Sequence, residues 1–250
     1  METDINRLDA LYIARHILSE LNIQPSLDLF GPLPLDSQVQ SAASSLESIE
    51  ETWAYDAPLD GQSFGRKERG EIIKLWSVPN KSALVLQHLV ALTQSTNVLE
   101  VGTSGGYSTL FLAAAASLSN GTVHTIEILP GKASLARDTF LQSGLSNINL
   151  IEGEAGEILT KWNDGPIDFV FLDADKENYA NYLDLILPHL KVGGLIVADN
   201  INDYGHMMED YLQQVTGTHL PQSRVNRQVR SYYLAALDNG LMITKKLDDV

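Results

Sequence analysis

From about residue 80 onward, short apolar segments alternate with helical ones, and this alternation limits the chain more than any other feature. Asn97–Val101, Thr122–Ile126, Ile148–Ile151, Ile167–Leu172 and Leu195–Ala198 read as strands. Ala83–Leu92, Ser108–Leu118, Lys132–Gln142, Ala155–Trp162, Tyr179–Leu190 and His206–Val215 read as helices. Strand-then-helix repetition predicts an α/β fold: a doubly wound, mostly parallel sheet with helices on both faces. The end differs. Ser231–Leu237 and Leu241–Lys245 flank Asp238-Asn239-Gly240, which predicts an antiparallel β-hairpin at the sheet's edge.

The first 70 residues carry no strand pattern. Leu11, Ile13, Ala14, Ile17, Leu18 and Leu21 recur at helical spacing, prolines follow at 25, 32 and 34, and Ser37–Trp53 predicts a second helix. Gly61–Gly70 reads as a loop. The first 60 residues also hold most of the net charge. Residues 1–60 carry 11 acids against Arg7 and Arg15, a net of −9, whereas residues 61–250 carry −6 of the total −15. So acidic a chain repels phosphate backbones, which argues against general nucleic-acid binding. The absence of cysteine excludes disulfides, thiolate metal sites and a cysteine nucleophile. No leader pattern and no membrane-length apolar run is visible, so a soluble, cytoplasmic protein is expected.

Chemistry concentrates at strand ends. In a doubly wound sheet, ligands bind beyond the carboxyl ends of the strands. Leu99-Glu100-Val101-Gly102-Thr103-Ser104-Gly105-Gly106-Tyr107-Ser108 closes the first strand of the α/β part. Its G-x-x-G-G spacing is neither the dinucleotide fingerprint nor a phosphate loop, and no basic residue follows to balance a triphosphate. Glu100 suits a ligand with an ammonium or sulfonium group, and Glu127, ending the second strand, suits ribose hydroxyls. Together they read as a site for S-adenosylmethionine (SAM). Three glycines also make a tight strand-to-helix turn with no ligand; Glu127 favours the site.

A second cluster is acidic. Ile167–Leu172 runs into Asp173-Ala174-Asp175-Lys176, and Leu195–Ala198 runs into Asp199-Asn200. If these strands are neighbours, Asp173, Asp199 and Asn200 converge with oxygen ligands for a hard divalent cation such as Mg²⁺, with Ca²⁺ or Mn²⁺ as alternatives. Each Asp can instead cap the following helix, and Asp-Asn is common turn chemistry. Lys176 lies beside the cluster, where a cation disfavours its ammonium form and frees it to act as a base; otherwise it is a surface lysine. The six histidines show no paired metal spacing, and His206 reads as a surface or capping residue. Trp53 and Trp162 read as core or partial surface, whereas Trp76 precedes Ser77–Ser82, a segment expected to cover the cofactor.

These residues resemble the cation-dependent, SAM-dependent O-methyltransferases of the caffeoyl-CoA and catechol type. The resemblance runs in order through Glu100–Ser108, Phe171-Leu172-Asp173-Ala174-Asp175-Lys176-Glu177-Asn178-Tyr179 and Lys191-Val192-Gly193-Gly194 to Asp199-Asn200, over roughly residues 75–250. It implies a Rossmann-like methyltransferase domain over 71–250, with a helical segment over 1–70 that shapes the acceptor pocket or a dimer interface. It implies cofactor contacts at Glu100, Gly102, Thr103, Gly106, Ser108, Glu127, Ala155 and Asp175, and metal ligands at Asp173, Asp199 and Asn200. It implies catalysis by Lys176 and Asp173, and a substrate side at Tyr182 and Asn239. Family members commonly carry an acid within the hairpin's Gly-Asp-Gly; here Asn239 follows Asp238.

The expected activity is methyl transfer from SAM to a hydroxyl of a small catechol-like or caffeoyl-type molecule, by a homodimer. Three readings compete: a tRNA hydroxyuridine O-methyltransferase using Arg224, Arg227 and Arg230; a SAM- or metal-binding protein without catalysis; and an NAD-dependent oxidoreductase.

Overall fold

The computed structural model describes residues 2–50, 55–56, 72–217, 229–237 and 239–248. The expected loop over 61–70, with Trp53, His219, Arg224, Arg227 and Asp238, lies outside the described residues. Two helices lead, α1 (Glu2–Glu20) and α2 (Ser37–Ile49), followed by a two-residue antiparallel ladder of β1 (Tyr55–Asp56) and β2 (Ile72–Ile73). The α/β part then runs α3 (Asn80–Leu92), β3 (Asn97–Val101), α4 (Tyr107–Ser117), β4 (Thr122–Glu127), α5 (Pro130–Ser143), β5 (Ile148–Glu152), α6 (Ala155–Thr160) and β6 (Ile167–Leu172). It continues through α7 (Tyr179–Ile186), β7 (Leu190–Ala198), α8 (Ile201–Tyr204), α9 (Glu209–Thr216), β8 (Val229–Leu234) and β9 (Leu241–Lys246).

Seven strands form one sheet in the order β5-β4-β3-β6-β7-β9-β8. The first five are parallel, while β9 runs antiparallel to β7 and β8 antiparallel to β9. The expected doubly wound α/β sheet with its C-terminal hairpin is therefore present. From β3 the chain builds outward through β4 and β5, then returns to β6 on β3's other side. That reversal opens a crevice at the carboxyl ends of β3 and β6.

Alternation along each strand feeds two cores. Phe169, Phe171 and Val98 point to one face, Val170, Leu172 and Leu99 to the other, and all are fully buried. The first face carries α3 and α4 and, outside them, α1 and α2. Leu11, Ala14, Ile17, Leu18 and Leu21 of α1, and Val39, Ala42 and Leu46 of α2, join that same core. The N-terminal helices thus bury their apolar stripes against the α/β part.

Four boundaries differ from expectation. The helix from Tyr179 ends at Ile186, because Pro188 has no N–H to donate to a continuing helix. The strand expected at Leu195 begins at Leu190, with a register irregularity against β6 across the exposed Lys191-Val192-Gly193 corner. The helix expected over His206–Val215 starts later, as α9 at Glu209, because its first residues belong to a 3₁₀ turn at Gly205–Met207 that follows α8. The hairpin strands pair Leu234 with Leu241, so a six-residue connection replaces the tight turn. No helix among the described residues is long and apolar enough to cross a membrane.

Candidate active site

Adjacent strands set the acidic residues side by side. Leu172 of β6 pairs with Ala198 of β7, so the residues that follow, Asp173 and Asp199, leave neighbouring strand ends in step. Backbone bonds extend the ladder past the strands: Asp173 N–H donates to Val101 C=O at 2.9 Å, and Asp199 N–H to Leu172 C=O at 3.0 Å. Asn200 then takes a left-handed backbone, φ +67°, which asparagine tolerates better than most residues.

Asp199 is 1% exposed, and its Oδ1 has no hydrogen-bond partner, while its Oδ2 receives the Asn239 amide at 3.4 Å. Burial, with the Asp173 charge beside it, pushes the Asp199 carboxyl up to about 7. A buried carboxylate oxygen without a partner is costly and marks a place for a proton or a cation. With Asp173 and the Asn200 amide, the donor set consists of hard oxygens, which fits Mg²⁺ or a similar ion. No three His, Cys, Asp or Glu side chains among the described residues form a cation cluster, so the third ligand would be the Asn200 amide.

Lys176 sits on this centre. Its Nζ donates to Asp173 Oδ1 at 2.7 Å and to the Tyr179 hydroxyl at 2.9 Å, and that hydroxyl donates to Leu172 C=O at 3.0 Å. Lys176 is therefore a half-buried member of the cluster. Asp175 faces a separate pair: the Tyr182 hydroxyl donates to its Oδ1 at 2.6 Å, and the Asn178 amide to its Oδ2. Tyr182 is 2% exposed.

The glycine loop meets the acidic centre at one point. A Cβ on Gly102 would lie 2.1 Å from the Asp173 carbonyl oxygen, and Gly102 has φ +106°. Gly106, at φ +93°, leaves room for the Phe140 ring. Protein packing alone therefore requires both glycines. Beneath the loop lies Glu100, which is fully buried. It accepts hydrogen bonds from Ser108 Oγ at 2.5 Å, Thr109 Oγ1 at 2.5 Å and Thr125 Oγ1 at 2.6 Å. Burial pushes its carboxyl up to about 7 against those three bonds. Because Thr125 donates to Glu100, the 2.5 Å contact between Thr103 and Thr125 has Thr103 as donor.

Glu127 ends β4 and is also buried; its oxygens accept Ser104 N–H and Leu129 N–H, both at 2.8 Å. Burial raises its pKa. Ala155 opens α6, whose first amides are capped by Glu154. Buried carboxylates and hydroxyls, with no lysine or arginine in the loop itself, suit a ligand bearing an ammonium, a sulfonium and ribose hydroxyls.

Several partners escaped sequence reading. Thr125 meets Glu100 only because β3 and β4 pair at Glu100↔Thr125, a cross-strand fact with no local signal. From α2, Glu47 accepts the Tyr107 hydroxyl at 2.5 Å, and Glu50 accepts Ser77 Oγ at 2.6 Å. The acidic N-terminal segment thus grips the edge of the glycine loop. Trp76 is 64% exposed at φ +52°, with Lys132 Nζ 5.2 Å from its ring centre. Trp162 is core, and Arg230 lies on β8.

Fold and site together define an α/β enzyme-type domain with an acidic centre beside a glycine loop at the switch point. The O-methyltransferase family profile matches residues 65–238, and the chain belongs to that family. It is 37% identical to a catechol O-methyltransferase of Niastella koreensis over 138 residues, 54% of this chain and 62% of that protein's length. It is 32% identical to a catechol O-methyltransferase of Mycobacterium tuberculosis over 154 residues, 61% of this chain and 69% of that one. The crystal structure of the O-methyltransferase from Bacillus cereus in complex with SAH superposes with a TM-score of 0.64 at 21% identity. That superposition covers 94% of this chain and 97% of the other, and shows the shared fold.

Proposed function

We propose that this chain transfers the methyl group of SAM to a hydroxyl of a small catechol-like or caffeoyl-type acceptor, with help from a divalent cation, Mg²⁺ first. The observation that carries the reading is the pair of strand ends where Asp173 and Lys176 face Asp199 and Asn200, with the buried Asp199 Oδ1 lacking a partner. Catechol O-methyltransferase relatives support the acceptor class.

Asp173, Asp199 and Asn200 would hold the cation. When bound, SAM supplies an electrophilic methyl group, and the cation supplies Lewis acidity toward the acceptor's two vicinal oxygens. Lys176 takes the acceptor's hydroxyl proton at Nζ, held in place by Asp173 and Tyr179. Glu127 and Thr103 orient the donor's ribose and amino-acid ends, while Asp175, Ala155 and the Gly102–Ser108 turn complete its cradle. Positioning supplies much of the acceleration in a transfer of this kind. The family resemblance assigns Tyr182 and Asn239 to the acceptor side; Tyr182 is buried with its hydroxyl on Asp175, and Asn239 bonds to Asp199. The N-terminal helices are the place for the remaining acceptor contacts or for a homodimer interface; Tyr12 on α1 is 63% exposed.

The test is transfer of labelled methyl from SAM to a panel of catechols and caffeoyl thioesters, with and without EDTA. Transfer that stops in EDTA and returns with Mg²⁺ is expected. Undiminished transfer in chelator overturns the cation's role, and no transfer to any catechol overturns the acceptor class.

A further inference from the structure

The C-terminal hairpin does more than finish the sheet. Asn239 and Gly240 of its connection lie against the segment that carries Asp199 and Asn200. Ile201 N–H donates to Gly240 C=O at 3.2 Å, and Asn202 N–H to Asn239 C=O at 2.9 Å. These are the first amides of α8, which have no intrahelical acceptor and, here, no side-chain cap. The hairpin carbonyls serve as their cap.

The Asn202 side chain multiplies the link. Its Nδ2 donates to Leu237 C=O at 3.1 Å and to Ala235 C=O at 3.3 Å, and its Oδ1 accepts the Tyr233 hydroxyl. Gly240 makes room for it: a Cβ there would lie 2.4 Å from Asn202 Oδ1, on a backbone at φ +68°. One more bond reaches the acidic centre itself, from Asn239 Nδ2 to Asp199 Oδ2 at 3.4 Å. The hairpin thus engages one oxygen of Asp199 and leaves Oδ1 bare, while bonds on the following residues hold Asn200 in its left-handed turn.

We propose that the hairpin connection is a clamp on the cation site, with Asn202 as its positioning residue. The clamp fixes Asp199 and Asn200 in the arrangement that binds a divalent ion. This rests on the cation reading above and assigns to the site a residue outside every motif that suggested it. Partners that orient ligands from behind typically set metal affinity by 10–100-fold.

The experiment is titration of Mn²⁺ into the full chain by calorimetry, with neither methyl donor nor acceptor present, alongside titration of S-adenosylhomocysteine. The unaltered protein is expected to bind Mn²⁺ and Asp199→Asn to lose it. Asn202→Ala should bind Mn²⁺ about 10–100-fold more weakly, with its S-adenosylhomocysteine affinity unchanged. Tyr233→Phe, at a residue 45% exposed, removes only the bond to Oδ1 and should weaken Mn²⁺ by a smaller factor with the fold intact. Wild-type Mn²⁺ affinity in both variants overturns the clamp alone. Equal weakening of Mn²⁺ and S-adenosylhomocysteine in Asn202→Ala overturns it too, since that is general loosening. Failure of the unaltered protein to bind Mn²⁺ overturns the cation reading and the clamp with it.

Discussion

The two halves of the crevice treat their buried acids in opposite ways. On the β3–β4 side, Glu100 has three hydroxyl donors and Glu127 two backbone amides. On the β6–β7 side, Asp199 has one long bond to Asn239, and its other oxygen has none. Burial raises all three carboxyls, but both oxygens of the first two are bonded, whereas Asp199 keeps one oxygen bare. A saturated network holds a shape, whereas an unsaturated one is completed by something that binds. The glycine-loop side is therefore a floor held by the protein's own bonds, whereas the acidic side keeps one buried oxygen bare.

Breaking each half should give different signatures. The largest effect is expected from Lys176→Met, which removes the proton acceptor that the proposed function assigns. kcat should fall about 10²–10⁴-fold, the range for general-base catalysis, with S-adenosylhomocysteine affinity unchanged by calorimetry. Equal loss of cofactor binding would mean that Lys176 serves the floor instead. Next comes Gly102→Ala, at the seam between the halves. Its Cβ would enter the Asp173 carbonyl at a positive φ, so thermal unfolding should show a loss of about 3 kcal/mol or more, with both ligand affinities reduced.

Glu100→Gln tests the saturated half through pH. The folded-state carboxyl is raised from 4.5 to about 7, so its contribution is full below 4.5 and is lost as pH rises through 7. That loss amounts to roughly 3 kcal/mol by the linkage rule. Denaturant unfolding from pH 4.5 to 8 should show this slope in the unaltered chain and a flatter one in the variant; parallel curves would remove Glu100 as its source. The smallest effect is expected from Tyr107→Phe, which cuts the Glu47 and Asn80 bonds at the loop's edge. A cost of about 1 kcal/mol in stability is expected, with Mn²⁺ binding unchanged.

Much of this was legible along the chain. The strand ends at Val101, Glu127, Leu172 and Ala198 were readable from local apolar runs closed by glycine or acid. The pairing of β6 with β7 was the condition on which Asp173 and Asp199 could meet, and it holds. Charge read less well. The acidic excess of residues 1–60 suggested a separate part with its own task, but α1 and α2 share the core of the α/β face, and Glu47 and Glu50 bond to residues beside the glycine loop. Composition counts acids without saying what they touch.

By itself, the sequence determined the α/β alternation, the strand-end positions of the glycine loop and the acids, and the family. These are local properties, carried by periodicity and short motifs. Only the tertiary structure decided which acids are compensated. Thr125 reaches Glu100 through strand register, and Asn239 reaches Asp199 through the hairpin's return across the sheet. The physical reason is sequence distance: a hydrogen bond spanning 25 or 40 residues leaves no mark on either segment, because it exists only after the sheet has paired.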